Sequence, residues 1–275
     1  MGIAEIVMLL SVSPAPPSAT LECVAGADSD LDGLSDACEL ALAALFAPML
    51  AVSTHACNWD QSAERLAGGY LFGASPTEAG IRLVYLPAYT MDCGWSGPKC
   101  LLRWRGGCDP HVADSEFIVV DIEQLGSDWR ATRAFLSAHC FGRSPGDCRW
   151  LERSELDWIG YAPLVWVAEG KNANYPSRAT CDAGHWLFDT CDRNARSVRF
   201  PVQTELQNIG SASAPFPNHT DDKPCVVASE VPLLARGSGS ECIWTDPLFK
   251  GWSNQIGGGS TGYRRYLVEV AELGP

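Results

Sequence analysis

Twelve cysteines are spread over this chain, and no two of them stand in a Cys-x-x-Cys pair. A cytosolic enzyme would rarely carry so many without a zinc pattern, and no such pair is present to suggest one. The number is even, and several cysteines have near neighbours: Cys93 and Cys100, Cys140 and Cys148, Cys181 and Cys191, Cys225 and Cys242. Local bridges that close loops are the economical reading, each contributing roughly 2–4 kcal/mol when unstrained. Spacing does not fix connectivity. It does point to an oxidising, extracytoplasmic compartment and to a fold whose long loops are pinned covalently.

Residues 28 to 39 read DSDLDGLSDACE. Asp28, Asp30, Asp32, Gly33, Asp36 and Glu39 fall where a calcium loop of the EF-hand type needs its ligands and its turn glycine. Ca²⁺ is a hard cation that takes about six to eight oxygens. Asp28, Asp30 and Asp32 would supply three, the Leu34 carbonyl a fourth, Asp36 one through water and Glu39 two. The bland alternative is an acidic, solvated turn. After the loop, Cys38, Leu42, Leu45 and Phe46 recur at helical spacing and Pro48 stops the run, which predicts one short helix. Before it, TLECVAGA (20 to 27) is too short and too small-sided to be an entering helix. A sensor would need a second hand and a helix pair that opens, so this Ca²⁺ is expected to be a structural staple. The lone loop resembles those of dockerins and thrombospondin type 3 repeats, which implies an extracellular, structural role.

Residues 3 to 12, IAEIVMLLSV, form an apolar run ahead of PAPPSA, but no Lys or Arg precedes Arg65 and Glu5 interrupts the run. This suggests a degraded or truncated signal segment over residues 1–20, followed by the loop and helix (21–47) and one large domain (48–275). No other stretch approaches eighteen apolar residues, so no transmembrane segment is expected. A formal net charge of −13 argues against nucleic acid as a partner, because phosphate binding needs clustered Lys and Arg. Past the helix, strand-like runs appear between Gly, Pro, Ser and Asp clusters: IRLVYL (81 to 86), KCLLRW (99 to 104), EFIVVDI (116 to 122), PLVWVA (163 to 168) and YLVEVAEL (266 to 273). Helical periodicity is hard to find after residue 50. The expected architecture is an all-β sandwich with long disulfide-pinned loops, preceded by the calcium loop and one short helix.

A second constellation is HVADSEFIVVDI, residues 111 to 122. In a strand, Asp114 and Glu116 would share a face with Ile118, Val120 and Ile122. Two carboxylates on an apolar face are costly to bury unless a cation or hydrogen bonds compensate. His111 stands just before them, and in FLSAHC (135 to 140) the alternation of Phe135, Ser137 and His139 would bring His139 to the same cleft. The plain alternatives are rim carboxylates bonded to loop amides or paired with Arg103 or Arg105, and a satisfied core histidine at 139.

HVADSEFIVV resembles the H-x-G-D-x-E strand of the family related to vacuolar protein sorting-associated protein 62. It is more distantly similar to the GHRHDWE heptapeptide of necrosis- and ethylene-inducing proteins, which are secreted β-sandwich toxins. SAHC is similar to the first family's S-x-H strand, and PLVWVAEGKNANYPS to its P-V-V-Y-V-A-x-G-x-H-A-x-Y-P segment; together these cover residues 111 to 177. The resemblance implies a divalent-metal site, Ca²⁺ or Mg²⁺, lined by His111, Asp114 and Glu116 at one end of the sandwich. In the toxins such an ion engages sugar head groups of membrane sphingolipids. Ser115 replaces the heptapeptide's tryptophan, Ala113 a histidine, and Asn172 the histidine of the third segment. Asn172 still offers an oxygen to a hard cation, while the loss of imidazoles disfavours transition metals.

The leading expectation is therefore recognition of a surface, glycan or lipid head group through a metal-containing cleft, toxin-like in kind. The runner-up is a metal-dependent hydrolase in which His111, Asp114, Glu116 and His139 hold an ion that activates water. A glycan-binding module is a third class, since ten tryptophans are present and Trp244 and Trp252 flank a Gly-rich turn region. There is no P-loop to suggest nucleotide chemistry.

Overall fold

The computed structural model describes residues 19–23, 25–28, 33–56, 58–61, 65–66, 68–92, 111–138, 149–183, 189–200, 206–208, 226–227 and 242–244. The chain enters through a two-residue strand, β1 (Ala19–Thr20), and reaches helix α1 (Asp36–Phe46). The Ser35 side chain caps α1 by accepting the Cys38 N–H at 3.3 Å, and Asp36 and Glu39 place negative charge in the first turn, where the helix dipole favours it. Ala47 and Pro48 end the helix where the sequence predicted, and the strand β2 (Met49–Val52) begins at once. A small pair, β3 (Trp59–Asp60) and β4 (Arg65–Leu66), precedes the long hairpin of β5 (Gly68–Pro76) and β6 (Gly80–Asp92). Then come β7 (His111–Ser115), β8 (Ile118–Leu125), β9 (Asp128–Leu136) and β10 (Arg149–Glu152). β11 (Trp158–Ile159), β12 (Ala162–Val167), β13 (Asn174–Tyr175), the six-residue helix α2 (Arg178–Ala183) and β14 (Arg196–Arg199) follow. β15 (Leu206–Asn208), β16 (Val226–Val227) and β17 (Cys242–Trp244) are the last described strands.

Two sheets carry the fold. The first has eight strands in the order β1-β9-β8-β6-β5-β15, with β10 on β9 and β7 on β6; the second has five, β11-β12-β2-β14, with β13 on β12. One core joins them: Leu83, Tyr85, Ile118, Val120 and Leu136 from the first sheet meet Leu50, Val52, Val165 and Val167 from the second. Leu42, Ala43 and Phe46 of α1 belong to this same core. The chain is thus an all-β sandwich with one short helix packed into it, as the sequence predicted. On β8, Asp121 is gripped by Arg82 at 2.7 Å and 2.9 Å and by Arg133 at 2.8 Å, which ties three neighbouring strands together. Among the described residues no helix is long and apolar enough to cross a membrane.

The predicted strand 116 to 122 is displaced: β8 runs Ile118–Leu125, and Glu116 and Phe117 stand in a break between β7 and β8. Both strands pair with β6 in one register, Ala88 with Ser115 and Tyr85 with Ile118, so Leu86 and Pro87 fall opposite Phe117 and Glu116. Proline has no N–H for the ladder, which accounts for the interruption. The predicted strand 135 to 140 likewise stops at Leu136. α2 lies in a stretch for which no helix was expected, and β5, with three glycines in nine residues, gave too little alternation to be seen in advance. The runs at 99 to 104 and 266 to 273 lie outside the described residues.

Candidate functional site

At the N-terminal loop, the Asp28 carboxylate accepts the Gly33 N–H at 3.0 Å. Gly33 has φ of +97°, a conformation that only glycine adopts freely. The Asp36 N–H donates to the Ala27 carbonyl at 2.8 Å, and Glu39 is fully buried on the first turn of α1. Asp30 and Asp32 lie outside the described residues, so Asp28, Leu34, Asp36 and Glu39 are the predicted ligands whose surroundings are known. A disulfide between Cys23 and Cys38, Cα atoms 4.9 Å apart, brackets the loop. The sequence reading did not single out this pair, although its partners, 15 residues apart, are nearer to each other than Cys225 and Cys242. Further out, Trp129 donates its indole N–H to the Leu21 carbonyl at 3.2 Å, and β1 pairs with the start of β9. Where an EF-hand would use an entering helix, this chain uses a disulfide and an edge strand.

The second cluster forms at the end of the sandwich where β7 gives way to β8, β9 ends and β12 turns into β13. Glu116 is 5% exposed and accepts a hydrogen bond from the Ser137 hydroxyl, which itself accepts the Phe117 N–H at 2.8 Å. From the facing sheet, Asn174 donates its backbone N–H to the Ser137 carbonyl at 2.9 Å and its side-chain amide to the Phe117 carbonyl at 3.4 Å. Asn174 Oδ1 is buried and, among the described residues, has no hydrogen-bond partner. Asn172, buried with φ of 57°, accepts a 2.9 Å bond from Asn58 through its own Oδ1. The side-chain oxygen of Asn172 therefore serves the fold. The Ser137 bond is the compensation that a buried carboxylate requires.

Of the predicted second-site residues, the structure thus brings Glu116 and Asn172 to the same end of the sandwich. His111 and Asp114 lie on β7, paired through the backbone with Asp92 and Tyr89 of β6. His139 lies outside the described residues, immediately beyond the buried Ala138. Sequence reasoning did not single out Asn58, and it left Asn174 unassigned although it stood inside the quoted segment. Among the described residues no three His, Cys, Asp or Glu side chains are disposed to hold a metal ion, so what converges here is one carboxylate with amides and a hydroxyl.

Beside this cluster the expected disulfide between Cys181 and Cys191 is formed, with Cα atoms 5.9 Å apart. The loop that it closes brings the buried Asp189 to accept the Tyr175 hydroxyl at 2.6 Å. The pair Cys140 and Cys148 and the pair Cys93 and Cys100 lie outside the described residues, as do Cys225 and Trp252, while Trp244 lies in β17.

No family model and no curated protein matches the chain. The likeness of residues 111 to 177 to the family related to vacuolar protein sorting-associated protein 62 is thus one of short motifs. Among solved structures, the chain is similar to a necrosis and ethylene inducing protein 2 from the causal agent of cocoa's Witches Broom disease. That match has 13% identity over 63% of this chain and 76% of the other, with a TM-score of 0.35. It is also similar to a structure described as a toxin fold for microbial attack and plant defence, at 14% identity over 65% and 84% of the two chains, with a TM-score of 0.30. Likenesses this slight carry no argument about activity, and the functional reading rests on the residues themselves.

Proposed function

We propose that this chain is an extracytoplasmic, disulfide-stapled β-sandwich that recognises a glycan or lipid head group through a divalent cation at the Glu116 end, and that a separate Ca²⁺ in the 28–39 loop is structural. The observation that supports the reading is the buried Glu116 carboxylate, bonded to Ser137, with Asn174 of the other sheet bonded to the backbone of Ser137 and Phe117 beside it. Carboxylate, hydroxyl and amide oxygens are the donors that Ca²⁺ and Mg²⁺ select over softer metals. Asp114 and His111 on β7 are the further ligands expected from the sequence. A cation held there would keep coordination positions for ligand hydroxyls, which is the chemistry that it would supply when bound. The disulfides Cys23–Cys38 and Cys181–Cys191 favour an oxidising compartment.

Asp114→Asn keeps the shape of the side chain and removes its charge, so it tests this directly. It is expected to weaken divalent-ion binding by tenfold or more, about 1.4 kcal/mol. Co-sedimentation with vesicles carrying glycosylated sphingolipids should fall with it, and a chelator should abolish sedimentation of the wild type. Metal-dependent turnover of an ester, phosphoester or glycoside panel that vanishes in the same variant would instead establish the hydrolase reading. Identical ion titrations for the two proteins would end the proposal.

A further inference from the structure

The amide oxygen of Asn174 is the least explained polar atom near Glu116. The residue is fully buried, and its backbone N–H and its side-chain NH2 each donate one hydrogen bond, but among the described residues its Oδ1 has no hydrogen-bond partner. Leaving a buried amide oxygen in that state forfeits its hydration with nothing in return. An apolar side chain would avoid the cost, and the neighbouring buried amides of Asn58 and Asn172 avoid it by bonding to each other. The position of Asn174 is fixed by its two acceptors. Phe117 follows Glu116 in sequence and Ser137 holds the Glu116 carboxylate, so both bonds seat the Asn174 amide against the residues that frame that carboxylate.

We infer that Asn174 Oδ1 is a ligand oxygen for the divalent cation at the Glu116 end, an amide donor from the second sheet that complements a carboxylate from the first. This rests on the cation reading above and adds to it a ligand from the facing sheet, so that the ion would bridge the two layers. Ser137 is then a positioning residue: its oxygen takes the Phe117 N–H at 2.8 Å, and its proton goes to Glu116, which fixes how that carboxylate is presented. The competing explanation of the open oxygen is a buried water, which would satisfy it without a metal.

Isothermal titration of Ca²⁺ into the full chain separates these cases. The N-terminal loop supplies one binding event, identified by its loss in Asp28→Ala with Glu39→Ala, and substitution at the Glu116 end should not move it. The event that Asp114→Asn removes is expected to weaken tenfold or more in Asn174→Ala. If Asn174→Ala leaves that event unchanged while Asp114→Asn removes it, the Asn174 assignment is overturned and the cation reading stands; this is the buried-water outcome. A wild type that shows only the loop event overturns both. Because Asn174→Ala also deletes the bond to Phe117 and can compromise folding, Asn174→Asp is titrated beside it. That variant keeps an oxygen and adds charge, so Ca²⁺ should bind about tenfold more tightly than to the wild type, and equal affinities would count against the assignment.

Discussion

Tyr85 shows how one side chain can join three layers of the molecule. It is fully buried in the core, its ring packs edge-on against Phe200 at 5.3 Å, and its hydroxyl donates to the Ala43 carbonyl of α1 at 2.9 Å. Tyr85→Phe leaves that carbonyl without its donor and should cost about 1–2 kcal/mol in a urea titration. Burial pushes the phenol well above its ordinary value, against a weaker downward pull from Arg199. Below about pH 10 the phenol is protonated in both the folded and the unfolded chain, so it gives no pH dependence there. Above that, the unfolded chain releases the proton and the folded one keeps it, so stability falls as pH rises. Tyr85→Phe should show a shallower fall in urea midpoint between pH 9 and 11.5, and parallel curves for the two proteins would show that Tyr85 does not contribute.

At the scale of elements, the 28–39 loop is tied to α1 by the Cys23–Cys38 disulfide. The Cys23–Cys38 bridge closes a span of 15 residues around Asp28 and Asp36, so Cys23→Ser with Cys38→Ser should cost about 3 kcal/mol by loop-closure entropy. It should also lower Ca²⁺ affinity, because Asp28 on the loop and Glu39 on the helix would no longer be held in register. A Ca²⁺ titration of the serine variant that matches the wild type would mean that the loop organises itself. The strands offer a different lesson. Glu116 was legible as an acid on an apolar face, but the break that frees it from the ladder comes from Pro87 on another strand, and no local pattern around residue 116 announces that.

For the whole molecule, the consequence of placing Leu42, Ala43 and Phe46 in the shared core is that loop and sandwich should unfold together. Calcium bound at a hundred times its dissociation constant would then add about 2.7 kcal/mol to the stability of the entire chain, not of the loop alone. We expect a single thermal transition, followed by circular dichroism, that moves up several degrees between chelator and millimolar Ca²⁺. In Asp28→Ala with Glu39→Ala it should not move, and head-group binding by the folded variant should persist. Two separated transitions, or a calcium response undiminished in the variant, would contradict the coupling.

What the residues determined unaided is what short-range chemistry can encode. The spacing from Asp28 to Glu39, the periodicity and Pro48 that delimit α1, and the alternation behind β6, β8 and β12 are written within a dozen residues each, as is the Cys181–Cys191 loop. Tertiary structure alone decided which distant groups meet. Asn58 and Asn172 are 114 positions apart, and Phe117 and Asn174 are 57 apart, and each pair is joined only because the ends of two sheets close over the same core. Such contacts leave no periodic trace in the chain, since the free energy that places them is the burial of Leu83, Tyr85, Val120 and Val165 elsewhere, and the polar cluster at Glu116 is positioned by that packing.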